Sequence, residues 1–347
     1  MFKKKIAFLC ISLFFYACGN TENKTNDCKN KIDVSNIKIK TEVIRFEKEL
    51  FAQKDSNAIQ NILKKYPLMR DRFFGIKFSK DSLKEEKKLI ASLTKMVNEK
   101  HLDTLYNDCQ KAFGDFKEIE NEFAEAFKHI KYYFPNFKTP TIYTTITGLK
   151  SFGGLEFYVD KDMIVISLEF FLGKNVRYRP RREEYPDYIW QHYHQKSIVP
   201  FCLLFMANGY NRSDLNDKSM VADMVFYGKS LEFVKRAVPC MPDSLLLRYS
   251  QQQIRNINDQ KNRSFLWNHF LEKKLLFSNK DLDKKAYLED RPYIAEINKE
   301  CPPRIGQWFG WRIIQNYLQK NKDVNFQKLM KNQNAQEIFE KAGYNGQ

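Results

Sequence analysis

The five histidines, His101, His129, His192, His194 and His269, are the first residues to test for chemistry. A zincin-type peptidase needs two histidines four residues apart on one helical face, with a glutamate beside the first as general base. None of the five has a histidine four residues on, and none is followed by glutamate. His192 and His194 are two apart, a spacing that faces opposite ways on a helix and the same way on a strand. Their segment, Tyr188 to Lys196, follows Pro186 and reads as loop or short helix, so a metal there would lack a third ligand. Gly228-Lys229-Ser230 has the ending of a phosphate-binding loop. The glycine required five residues earlier is Asp223, and the preceding residues are apolar and helical, so no nest of backbone N–H groups can form. Neither a GxSxG elbow nor GxGxxG occurs. Asp160-Lys161-Asp162 puts two carboxylates together, but Met163 and Ile164 stand where calcium would need further oxygens, and a hairpin turn is the better reading. Glu183 and Glu184 are adjacent and diverge on any regular element, so they make no acid–base pair. No catalytic residue, metal ligand or cofactor is assigned.

Two segments carry recognition chemistry instead. Arg177, Arg179, Arg181 and Arg182 lie within six residues and could grip a carboxylate, phosphate or lipid headgroup bidentately. The plainer reading is an exposed loop balanced by Glu183 and Glu184, since charge runs are usually solvated. Further on, Pro302 and Pro303 suit a helix start. Gly306 and Gly310, four apart, bare one stripe of that helix, flanked by Trp308 and Trp311. Close packing against a neighbour is the default for such glycines; an aromatic-lined groove for a partner or glycan is the alternative. The candidate binding surface is therefore Arg177, Arg179, Arg181, Arg182, Trp308 and Trp311.

The elements that must position these residues are mostly helical. Ser56 can cap a helix through Lys65, ended by Pro67. From Ser82 to Val97, Leu83, Leu89, Ile90, Leu93 and Met96 are spaced for one apolar face. The clearest stripe runs from Asp115, a plausible N-cap, to Phe134: Phe116, Ile119, Phe123, Phe127, Ile130 and Phe134 recur at helical steps, and Pro135 stops them. The pattern then changes. Thr141 to Thr147 is β-branched and aromatic, and Glu156 to Val159 and Met163 to Ser167 read as strands joined by Asp160-Lys161-Asp162. Helices are expected again at Ser197 to Asn208, Ser219 to Val238, Ser250 to Phe277, Pro303 to Gln319 and Ala335 to Ala342. The whole predicts one α+β domain, mainly helical, with a small central sheet.

The chain has 347 residues and a formal charge of +16. With 43% hydrophobic and 29% charged residues it is globular in composition, which excludes a disordered or fibrous chain. Lys3, Lys4 and Lys5 precede an apolar run, Ile6 to Ala17, that fits a secretory signal and falls short of the ~20 residues of a spanning helix. Ala17 then precedes Cys18 and Gly19, the pattern of a bacterial lipoprotein signal in which Cys18 is acylated and becomes the first mature residue; Phe15 stands where leucine is usual. Without residues 1–17, which hold three lysines and no acid, the charge is +13. The longest later apolar run, Ile198 to Ala207, contains Pro200 and fits a buried helix. An exported basic chain is not expected to meet nucleic acid; anionic lipid or acidic wall polymers suit it better. Residues 19–30 carry no aliphatic or aromatic side chain and read as a solvated tether. Five cysteines follow Cys18: Cys28, Cys109, Cys202, Cys240 and Cys301. An odd number cannot all pair within one chain, and the absence of CxxC argues against a zinc ribbon or thioredoxin-like site. Export permits disulfides, but the sequence does not say which pair forms. Cys202, in an apolar run, reads as buried.

Several segments together resemble the gliding-motility lipoprotein GldB family of the Bacteroidota. They are the lipoprotein start, Ile44-Arg45-Phe46-Glu47, Ile166-Ser167-Leu168-Glu169-Phe170-Phe171-Leu172-Gly173, Phe226-Tyr227-Gly228-Lys229-Ser230-Leu231, and the run from Pro303 to Trp311, with Glu337-Ile338 and Tyr344 near the end. The resemblance implies an envelope lipoprotein tied to gliding and type IX secretion, with no agreed catalytic activity. The order of elements is also similar to a gluzincin-type peptidase scaffold. There a helix carries HExxH, and a later helix carries glutamate just before Gly-Lys-Ala. On this mapping the first helix, Ser197 to Asn208, has no His, Glu or Asp, and Tyr227 replaces the glutamate, so the scaffold would have lost its metal. The expectation is therefore a signal peptide over 1–17, lipidated Cys18 and tether over 18–35, and an α+β domain over 36–347. It would be a non-enzymatic lipoprotein in an envelope complex, anchored through its acyl chain to the outer membrane and facing the periplasm. The alternatives are a divergent hydrolase acting on peptides or wall material, or a glycan- or peptidoglycan-binding module.

Overall fold

A computed structural model describes Cys28, residues 32–77 and residues 80–347; the signal sequence and Cys18 lie outside them. The β-branched run after Pro140 forms the expected strand, β2 (Thr141–Thr145), between β1 (Val43–Arg45) and β4 (Met163–Ser167), with β3 (Phe157–Val159) at the edge. β1 and β4 both run parallel to β2, placing Ile44 and Val165 on either side of Tyr143. β3 pairs antiparallel with β4 through the expected hairpin. Asp160 closes that turn: Oδ1 accepts from the N–H groups of Asp162 (2.7 Å) and Met163 (2.9 Å). Both turn carboxylates are neutralised by Arg72 Nη1, at 2.7 Å from Asp160 and 2.8 Å from Asp162. β4 is buried at every position, and Met163 to Ile166 are all apolar, as a strand covered on both faces requires.

Five helices separate β1 from β2: α1 (Phe46–Phe51), α2 (Ser56–Lys65), α3 (Leu83–Asn98), α4 (Lys100–Phe113) and α5 (Lys117–Tyr133). After the sheet come α6 (Asp187–Trp190), α7 (Ile198–Ala207), α8 (Met220–Ala237), α9 (Asp243–Leu247), α10 (Gln251–Asn258), α11 (Gln260–Glu272), α12 (Asp281–Leu288), α13 (Ile305–Lys320), α14 (Phe326–Lys331) and α15 (Ala335–Ala342). The architecture is α+β and mainly helical, as the sequence predicts. The phenylalanine stripe of α5 faces inward, with Phe123 and Phe127 fully buried. Cys202 is buried, as expected from its apolar run.

Several boundaries differ from expectation for identifiable reasons. The cap of α2 is Asp55, not Ser56: its carboxylate accepts from the N–H groups of Asn57 and Ala58. Helix α5 starts at Lys117, because Phe116 takes a left-handed φ of 67° that buries its ring, while Asp115 accepts from the Lys117 N–H. The helix expected over 250–277 is broken at Asp259, whose extended backbone and side chain cap α11 through Asn262 N–H. Helix α13 starts only at Ile305, after a left-handed Arg304. Leu83 stands at the first turn of α3 and is exposed. The tether reading of residues 19–30 is cut short, since Cys28 is disulfide-bonded to Cys240 just past α8.

The centre of the molecule is the crossing of α8 and α13. A Cβ placed on Gly310 would lie 1.8 Å from the Met224 carbonyl oxygen, and one on Gly228 would lie 2.3 Å from Gly310 C and O. The two backbones therefore touch, and only glycine fits at either position. The crossing also gathers Trp311, whose Nε1 donates to Glu232 Oε2 at 2.9 Å.

Candidate functional site

The structure does not bring the six sequence-derived binding residues together. Trp308 and Trp311 are only 3% and 2% exposed, so they are removed from the candidate surface. The bare glycine stripe they flank is filled by Met224 and Leu288, which is the packing alternative realised. Arg177, Arg181 and Arg182 are exposed, as a solvated loop requires. The balancing acid is Asp187, 2.6 Å from Arg179 and 3.9 Å from Arg182. Glu184 faces Lys150 instead, at 3.4 Å. Arg179 is partly buried, donates to the Tyr185 carbonyl at 2.8 Å and lies over the Trp190 ring, so its role is to fold the loop.

Lys229, the residue of the rejected phosphate-loop reading, is buried on α8. Its Nζ donates to the carbonyls of Arg212 (2.5 Å) and Asn332 (2.9 Å). Asn332 caps the C-terminus of α14, where a cation is favoured. Burial pulls its pKa down to about 8. A groove of about 720 Å³ lies elsewhere, between Lys138, the Asp160–Asp162 turn and Phe205, but its turn carboxylates are engaged by Arg72.

A different cluster has the features of a binding site. Four segments converge on it: the turn after α9, the turn after α12, the residue preceding α13, and the turn after α6. Arg248 ends α9 and Arg304 precedes α13. Both reach Asp290: Arg248 Nη2 lies 3.0 Å from Oδ2, and Arg304 Nε lies 2.8 Å from Oδ1. Arg304 Nη2 also donates to the Leu247 carbonyl at 2.5 Å, which fixes the end of α9. Tyr249 donates its hydroxyl to the Pro303 carbonyl at 2.5 Å, locking the two arginine-bearing turns together. The guanidiniums lie against aromatic faces, Arg248 5.6 Å from the Phe201 centroid and Arg304 5.7 Å from that of Tyr249.

The electrostatics of the cluster follow from one carboxylate serving two cations. Burial raises the Asp290 carboxyl, but Arg304 and Arg248 outweigh it and hold the group below the usual carboxylate range. Burial, and then Arg304, pull Arg248 down to about 10. His192 is pushed down to about 4, first by burial and then by Arg248 and Arg304, so it is neutral at physiological pH. Tyr227 on α8 borders the cluster, its phenol raised by burial and by Asp223, Glu289 and Asp290. Solvent reaches the cluster, since the Arg248 side chain is 18% and that of Asp290 33% exposed. Among the described residues no group of three His, Cys, Asp or Glu side chains is arranged to hold a metal ion.

Sequence reasoning found only Tyr227 and Arg304 here, as members of quoted motifs, and tested His192 for metal binding. Arg248 and Asp290 sit at helix ends with no periodic or motif signal. Their association depends on segments more than forty residues apart in the chain.

The gliding motility protein GldB family matches residues 27–346. The chain belongs to that family. No curated protein and no solved structure matches it. Membership implies involvement in gliding motility, and the family's lipoprotein character implies a membrane-anchored place in the envelope. Among the described residues no helix is long and apolar enough to cross a membrane.

The GldB motifs have mostly structural duties in this chain. Glu47 is fully buried and accepts from Arg45 Nε at 2.7 Å and Thr144 Oγ1 at 2.6 Å, joining β1 to β2. Glu169, also fully buried, accepts through Oε1 from Thr147 N–H and Oγ1, each at 2.7 Å, and from Leu149 N–H at 3.2 Å. It thereby holds Gly148, Leu149 and Lys150 at φ of 62°, 55° and 69°. In the C-terminal motif Gln307 donates to the Leu288 carbonyl at 2.6 Å, Gly310 makes the helix crossing, and Trp311 meets Glu232. Arg304 is the member of that motif that reaches Asp290.

Proposed function

We propose that this GldB-family chain is a lipid-anchored envelope protein that supports gliding and the type IX export apparatus by recognition, without cutting bonds. The family match over residues 27–346 carries this reading. The structural duties of the motif residues support it, because their polar groups hold helices and turns in place. The lipoprotein pattern at Ala17-Cys18-Gly19 supports the anchor, with outer-membrane attachment facing the periplasm. The partners are the bilayer, through the acyl chain, and an envelope protein complex.

The test is deletion of the gene, scored for colony spreading and for protein export, with rescue by wild type and by Cys18→Ala. Rescue of both traits by wild type, with failure of Cys18→Ala, is the expected result. Full rescue by Cys18→Ala would remove the anchor from the reading. Hydrolysis of peptides or wall fragments by purified protein, lost in His192→Ala, would remove its non-enzymatic part.

A further inference from the structure

Arg248 and Arg304 share an uncommon backbone state. Their φ values are 54° and 55°, in the left-handed region that a side chain with a Cβ disfavours. Phe116, Leu149, Lys150 and Lys274 share that state, so it marks a strained bend and not by itself a site. Here both bends bring a guanidinium onto the single carboxylate of Asp290.

Asp290 leaves the pair unsatisfied. Arg248 Nε is buried and has no hydrogen-bond acceptor among the described residues. Arg304 Nε is near Asp290 in charge contact but is not aligned for a hydrogen bond. A buried donor without an acceptor is unfavourable, and a charged one more so. The charges do not cancel either: two guanidiniums face one carboxylate, and His192 adds no opposing charge. Glu289, beside Asp290 in the chain, is exposed and acts on Tyr227. The first turn of α13, a helix of 16 residues, adds its positive end directly beside Arg304.

We propose that Arg248, at the end of α9, and Arg304, just before α13, bind a carboxylate carried by a ligand, which meets the solvent-exposed edge of Arg248 beside Asp290. A carboxylate supplies one negative charge, matching the single positive charge in excess; a phosphate dianion would exceed it. Guanidinium presents paired donors in the geometry a carboxylate accepts. The walls of Phe201 and Tyr249 exclude water from one side and strengthen the contact. The inference goes beyond the envelope role proposed above and does not depend on it.

The test uses full-length purified protein at constant ionic strength. N-acetylglycine, its amide N-acetylglycinamide, sodium acetate and inorganic phosphate are titrated by calorimetry or by chemical shifts of the His192 ring. N-acetylglycine should bind and its amide should not. Arg248→Gln should weaken binding roughly tenfold or more, the worth of one charge-assisted hydrogen bond. Asp290→Asn, which removes the competing carboxylate, should tighten it several-fold, whereas a merely structural Asp290 would loosen the cleft and weaken it. Arg248→Lys keeps the charge and loses the fork, so it should bind less well; this variant decides the matter if Asp290→Asn does not fold. Equal affinity for acetate and N-acetylglycine supports the site with free small acids as its source, and preference for N-acetylglycine supports it with chain ends. Equal binding of acid and amide, unchanged binding in folded Arg248→Gln, weaker binding in folded Asp290→Asn, or phosphate outcompeting both carboxylates would overturn the proposal.

Discussion

Replacing Gly310 by alanine sets two effects of opposite sign against each other. In an exposed helix interior the change stabilises by about 1 kcal/mol, because alanine loses less backbone freedom on folding. Gly310 is not exposed: its added Cβ would lie 1.8 Å from the Met224 carbonyl oxygen, 2.5 Å from Met224 C and 3.0 Å from Met224 Cα. An ordinary contact starts near 3.4 Å, so α13 must retreat from α8 by roughly 1.5 Å. The obstacle is backbone on a rigid helix, so no rotamer change relieves it. Overpacking of this kind costs about 3 kcal/mol or more, which leaves a net loss of about 2 kcal/mol after the helical gain. Movement there also separates Trp311 from Glu232, now 2.9 Å apart. Urea unfolding followed by tryptophan fluorescence reads this directly, since Trp308 and Trp311 are buried beside the crossing. Gly306→Ala is the control: it meets the end of the flexible Leu288 side chain at 2.7 Å and should be milder. A Gly310→Ala protein as stable as wild type, or more stable than Gly306→Ala, would refute the reasoning.

The remaining predictions concern charge, covalent linkage and backbone strain. Lys229 has a folded-state pKa of about 8, below its unfolded value of 10.5. Between these values the unfolded chain holds the extra proton, so stability should rise with pH by up to about 3 kcal/mol relative to Lys229→Met. Chemical denaturation of both proteins from pH 7 to pH 10.5 checks this, and a flat difference would contradict it. Cys240→Ser opens a bridge spanning 212 residues and should lower stability by about 2–4 kcal/mol, with Cys28 becoming reactive to maleimide by mass. Lys274 is exposed at φ 53° just past α11. Lys274→Gly should therefore raise stability by roughly 0.5–1 kcal/mol, read as a higher denaturation midpoint.

Elements defined by local repetition were legible in the sequence. The phenylalanine stripe of α5, the β3–β4 hairpin with its Asp160 turn, and the helix expected from Ser219, found as α8, each rest on residues close together in the chain. Elements that depend on distant partners were not. Helix α4 has no capping side chain to mark its start. The Cys28–Cys240 bond joins residues whose separation gives no local signal. The tryptophans show the limit most clearly. Two glycines flanked by Trp308 and Trp311 describe a groove and a packed crossing equally well. What separates them is whether another backbone occupies the stripe, and that backbone, at Met224 and Gly228, lies some eighty residues earlier. The cleft was hidden for the same reason, because Arg248, Asp290 and Arg304 acquire meaning only when three turns meet.

The disulfide also bears on where the cleft sits relative to the bilayer. If Cys18 carries the acyl chains proposed above, ten residues separate it from Cys28, a reach of at most about 33–36 Å when fully extended. Cys28 is fixed at Cys240, just past the end of α8. Tyr227, at the border of the cleft, lies ten residues back along α8 from Ala237, or about 15 Å of helical rise. With the 4.6 Å span of the disulfide and the three residues from Ala237 to Cys240 included, Tyr227 is held within roughly 65 Å of the anchor. Breaking the bond moves the fixed point to Val34, the next buried residue among those described, and lengthens the extended reach to about 53–58 Å. Cys28→Ser with Cys240→Ser therefore separates two duties of the bridge. If the bridge sets distance from the membrane, shortening the tether by six residues, the difference between the two reaches, should restore spreading to the double variant. If it serves stability alone, that shortening will restore nothing, whereas a stabilising change elsewhere, such as Lys274→Gly, will.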